Sequence, residues 1–118
     1  MKSLTLPFLA GLMFIAVGLA AQGGNTFTGE IMDSACAQTG SHDAMMKQHP
    51  NMKTTKDCAM GCVKAGSKYV LYDSSTKAVY QLSDQKKPEQ FAGQKVTVTG
   101  KLDSATNTIT ETNIKPAS

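Results

Sequence analysis

The chain has 118 residues, 18% of them charged, a net charge of +3 and no Trp or Arg. So small a charge, spread over scattered lysines, excludes the clustered basic surface of a nucleic-acid binder and selects no other partner class. The length suits one domain with a modest core.

Met1-Lys2, the apolar run Leu4–Val17 and the small residues of Gly18–Ala21 read as a secretory signal peptide, residues 1–20, with the cut after Ala20. The apolar run is shorter than the ~20 residues that span a bilayer. No cysteine follows the cut to carry a lipid. The expected product is residues 21–118, periplasmic or secreted, with no membrane association after cleavage.

Phe27–Met32 (FTGEIM) reads as a first strand. Beyond it, His42, Met45, Met46 and His49 recur at helical spacing until Pro50 interrupts. Thr54 with Asp57 three residues on forms a capping-box pattern, and Gly66 marks a stop, so a helix is expected between them. At 100° per residue, Cys58, Ala59, Cys62, Val63 and Gly66 share its inward face, with Asp57, Met60 and Lys64 opposite. The remainder is β: Lys68–Tyr72 and Ala78–Leu82 form a hairpin around Asp73-Ser74-Ser75-Thr76. A helical turn is expected over Pro88–Ala92, with Gly93 as its stop. Lys95–Leu102 alternates Val96 and Val98 inward with Thr97 and Thr99 outward, and Gly100 suggests a bulge or bend. Thr108–Ile114 is the last strand. Ile109 and Ile114 cannot share one face of a regular strand, which calls for a bulge or an edge position.

Five strands with a helical piece between the third and fourth match a small OB-like Greek-key β-barrel. Residues 33–66 would be a helical Cys/His insertion between its first two strands. Another small barrel, or an open meander with a helix across one end, fits the same order.

The segments GEIMDSAC (Gly29–Cys36), CAMGCVKAGSKYVLY (Cys58–Tyr72), VYQLSDQ (Val79–Gln85) and FAGQKVTVTGKL (Phe91–Leu102) run through most of the chain beyond the signal. Together they resemble an uncharacterised family of small exported bacterial OB-like barrel proteins, with a D-S-x-C … C-x3-C-V-K-x-G … V-x-V-x-G pattern. The chain departs from that pattern at Ala37, where the family has Gly, and in the longer step from Cys36 to His42. The resemblance implies an OB-like fold and an export route, and no activity.

The chemistry concentrates in Cys36–Cys62. Cys58 and Cys62 lie one helical turn apart, so their sulfurs can reach a common point. With Cys36 and His42 they form a Cys3His set suited to tetrahedral zinc, with His49 as the alternate nitrogen. Met45, Met46 and Met52 would matter if the metal were copper, because thioethers and thiolates favour Cu(I). Asp33 could orient a ligating histidine, although Asp-Ser after a strand is also ordinary turn and capping chemistry. The competing reading, a structural or protein-interaction module without metal or catalysis, is a disulfide from Cys36 to Cys58 or Cys62. It would stabilise by roughly 3 kcal/mol on the loop-entropy account and leave one cysteine over. In that reading the methionines fill a gap and the histidines are surface residues. A redox-active C-x3-C pair is a minor third reading. No hydrolase, metalloprotease or phosphate-loop motif occurs, so no enzyme is expected.

Overall fold

A computed structural model describes residues 25–117; the signal-peptide expectation lies outside them. The order is β1 (Asn25–Asp33), α1 (Ser34–Ala37), α2 (Asp43–Gln48), α3 (Thr55–Lys64), β2 (Tyr69–Asp73), β3 (Ala78–Leu82), a 3₁₀ turn (Lys87–Phe91), β4 (Lys95–Asp103) and β5 (Thr108–Pro116). The strands close into a ring in the order β1-β2-β3-β5-β4, with β1 returning to β4. All pairings are antiparallel except β3 with β5, which run parallel and meet only at Gln81↔Thr108 and Leu82↔Ile109. The protein is therefore mainly β, with the cysteine-bearing segment inserted between β1 and β2. No helix among the described residues is long and apolar enough to cross a membrane.

The alternation expected of β4 is realised: Val96 and Val98 are fully buried. The spacing of Ile109 and Ile114 is resolved by a bulge. Thr99 pairs with Asn113, but Gly100 pairs with Glu111, leaving Thr112 as the extra residue. The parity shift lets buried Ile109 and half-buried Ile114 both pack on the core inside the ring. Gly100 is needed there, because a Cβ would come within 2.5 Å of the Thr110 carbonyl oxygen.

Strand parity produces two cores. Ile31, Tyr69, Leu71, Leu82, Ala92, Val96, Val98 and Ile109 pack together with Ala59 of α3. Met32 and Val70, directly paired across β1 and β2, point to the other face. There they pack against Cys36, Ala37, Cys58 and Cys62. Helix α3 thus spans both layers, Ala59, Met60 and Val63 packing on the ring's core and Cys58 and Cys62 on the outer one, and every cysteine sits in that second layer.

The expected helix after Thr54 is α3. Thr54 caps it, its side chain accepting from the Asp57 N–H at 3.0 Å. Cys58, Ala59 and Cys62 are buried. Met60, expected on the solvent side, is half-buried against the ring's core beside Ala59 and Val63.

Candidate metal centre

Four residues from four consecutive pieces of chain converge at the seam between β1 and the inserted helices. Asp33 ends β1 and caps α1, its Oδ2 accepting from the Cys36 N–H at 2.9 Å. That bond fixes the carboxylate and, one turn on, the Cys36 sulfur. His42 begins α2 and is 4% exposed. Cys58 comes from the first turns of α3 and is fully buried. One ligand atom from each of Asp33, Cys36, His42 and Cys58 lies within 4.8 Å of every other, so the group can hold a metal ion.

The distances suit a small tetrahedral ion. The sulfurs of Cys36 and Cys58 are 3.9 Å apart. Two Zn–S bonds of about 2.3 Å at a tetrahedral angle place sulfurs roughly 3.8 Å apart. His42 Nδ1 is 3.7 Å from Asp33 Oδ1. Zn–N and Zn–O bonds near 2.0–2.1 Å call for roughly 3.4 Å, which a small turn of the ring supplies. The same 3.9 Å is nearly twice a covalent S–S bond of about 2.05 Å. Cys36, Cys58 and Cys62 are all free thiols, so no disulfide forms among them.

Three polar atoms here are buried without a hydrogen-bond partner: Asp33 Oδ1, His42 Nδ1 and His42 Nε2. Each such atom costs about 1–3 kcal/mol when nothing replaces its lost water. Two of the three, Asp33 Oδ1 and His42 Nδ1, face each other. A cation between them would satisfy both.

The thiols are held neutral. Burial pushes Cys36 far above its ordinary range, and the neighbouring Asp33 carboxylate and Cys58 act in the same direction. Burial raises Cys58 as well, against a hydrogen bond from Cys36 that favours its thiolate. Cys62 is pushed up to about 11, first by burial and then by the charges of Asp33 and Cys58. A bound divalent cation reverses this balance, because its charge stabilises the thiolates that the site otherwise suppresses.

The sequence reading thus has Cys36, His42 and Cys58 brought together. Cys62 is buried beside them but lies outside the mutually close group, where Asp33 stands instead. His49 is exposed and caps the far end of α2. Met45, Met46 and Met52 are half-buried against the cysteine layer, Met52 resting over Gly61, where a Cβ would lie 2.6 Å from its terminal carbon. Asp33 was legible only as a cap or an orienting group. The signal for more was its three-residue spacing from Cys36 at a strand end that also had to be buried. No protein-family model, curated protein or solved structure matches this chain, so its functional reading rests on the site alone.

Proposed function

We propose that the protein is an exported zinc-binding protein whose insertion holds one ion through Asp33, Cys36, His42 and Cys58. The observation that carries this reading is the pair of orphaned, facing atoms, Asp33 Oδ1 and His42 Nδ1, beside two thiols at zinc spacing. Four protein donors fill a tetrahedral shell, the arrangement of structural rather than catalytic zinc. A carboxylate oxygen suits zinc better than Cu(I), and the methionines then serve as the apolar wall that keeps water from the thiolates. Cys62 is the reserve donor, one turn from Cys58. Raised thiol pKa values weigh against a redox enzyme, whose reactive cysteine needs a lowered one. Export is supported by the signal-like residues 1–20. The strand order and the parallel β3–β5 closure support an OB-like Greek-key barrel as the scaffold and agree with the family resemblance.

The test is native mass spectrometry of the reduced protein with equimolar Zn²⁺, before and after denaturation. One zinc retained natively and lost on denaturation, with three free thiols, is the expected result. Cys58→Ser and His42→Ala should each lose the adduct. A two-hydrogen mass loss with no zinc in the protein as isolated would replace this reading with the disulfide-stapled module.

A further inference from the structure

A ligating imidazole uses one ring nitrogen for the metal and must place the proton on the other. In His42 the two nitrogens face different groups at equal distance: Nδ1 is 3.7 Å from Asp33 Oδ1, and Nε2 is 3.7 Å from Glu30 Oε2. Asp33 belongs to the convergent group and Glu30 does not. Nδ1 therefore faces the carboxylate that belongs to the group, and Nε2 faces the carboxylate that lies outside it.

Glu30 reaches that position by strand parity. It lies two residues before Met32 on β1 and pairs with Tyr72, as Met32 pairs with Val70, so its side chain rises on the same outer face as the cysteine layer. The loop carrying His42 is held close above it. Gly40 has φ +73°, and a Cβ there would come within 2.5 Å of the Tyr72 hydroxyl oxygen. Glu30 is 30% exposed, against 4% for His42, and lines a surface cavity of about 430 Å³ together with Thr28, Gly40, Tyr72 and Lys95. Glu30 is thus a partly exposed carboxylate beside the buried imidazole, 3.7 Å from a nitrogen that has no hydrogen-bond partner.

We propose that Glu30 is the outer carboxylate of the metal site, a positioning residue that acts through His42. In the zinc-loaded protein its Oε2, 3.7 Å from Nε2 in this structure, closes in to accept the Nε2–H, which holds the proton on that nitrogen and leaves the Nδ1 lone pair for the ion. This assignment rests on the metal reading and adds a tautomer and a residue to it. Outer partners of this kind typically alter metal affinity by about 10–100-fold.

The experiment is a zinc competition titration of the reduced full chain and of Glu30→Ala and Glu30→Gln. It is paired with long-range ¹H–¹⁵N spectra of the zinc-loaded proteins. Glu30→Ala should weaken zinc binding by about 10–100-fold, and Glu30→Gln, which keeps an acceptor, by less. The thermal midpoint of the metal-free form should not move, because the replaced side chain is partly exposed and makes no bond that the fold requires. In the wild type, His42 should show zinc on Nδ1 and the proton on Nε2, with exposed His49 unaffected as the internal control. Unchanged affinity in Glu30→Ala, or zinc on Nε2 of His42, overturns the assignment of Glu30 and leaves the metal reading standing. Absence of zinc binding by the wild type, with Cys58→Ser no different, overturns both.

Discussion

At the residue scale the centre is a negotiation between burial and charge. Asp33 is fully buried with one oxygen capping α1 and the other unsatisfied. Asp33→Asn keeps an acceptor for the Cys36 N–H while removing the charge. It should reduce zinc affinity at least tenfold and leave metal-free stability unchanged or improved, read by competition titration and urea unfolding. Asp33→Ala also deletes the cap, with a further loss of about 1 kcal/mol. The thiols give a pH signature. Their folded pKa values are raised, so neutral thiols favour the fold below the unfolded value near 8.5, and that stability is lost as pH rises towards the folded values. Urea midpoints of the metal-free protein should fall between pH 8 and pH 10. Zinc affinity should climb over the same range, because binding displaces thiol protons. Residue chemistry was legible for Cys36, His42 and Cys58, whose types are rare in this chain. It was not legible for Asp33, since carboxylates have many uses and only its complete burial beside Cys36, His42 and Cys58 sets it apart.

At the element scale, α3 matters because it carries Cys58 and must be docked at a fixed height above β1. The clamp is Gly93, after the 3₁₀ turn. Its N–H donates to the Ile31 carbonyl at 2.8 Å, and its own carbonyl accepts from the Thr55 hydroxyl at 3.1 Å. At φ +73°, a Cβ on Gly93 would lie 2.6 Å from the Lys56 nitrogen. Gly93→Ala should therefore destabilise by more than ~1 kcal/mol and, by lifting α3, weaken zinc binding too. Thr54→Ala should cost about 1 kcal/mol through the lost cap, while zinc affinity stays near wild type because the metal-free and loaded folds lose the cap alike. The comparison separates damage to the helix from damage to its seating. Thr54, Asp57 and Gly66 made α3 readable, because capping is local. Gly93 read only as a stop, because its second role lies in contacts with residues far away in sequence.

At the scale of the whole molecule, the ring is uneven. β4 and β5 pair along nearly their full lengths, whereas β3 and β5 meet at two positions. The seam is reinforced by Glu111, whose Oε1 accepts from the Asp84 N–H at 3.1 Å and the Ser83 hydroxyl at 3.3 Å. Hydrogen exchange should open Gln81–Ser83 and Thr108–Ile109 before β1 and β4, since local opening follows the sparsest pairing. Zinc should protect the insertion more than this seam. The five strands were legible from alternation and turn chemistry, α3 from its cap and α2 from the spacing of His42, Met45 and Met46, whereas the short α1 was not. Ring closure was an expectation from element order alone, and the two-faced use of β1–β2 emerged only with Met32 and Val70 placed back to back with Ile31 and Leu71.

The central claim is that one zinc ion sits between Asp33, Cys36, His42 and Cys58, and zinc K-edge X-ray absorption of the loaded protein tests it by counting donors. The expected spectrum has two sulfurs at about 2.3 Å and two nitrogen or oxygen donors at about 2.0–2.1 Å. A shell of three sulfurs would contradict Asp33 as a ligand in favour of Cys62, and a shell without sulfur would contradict the site itself.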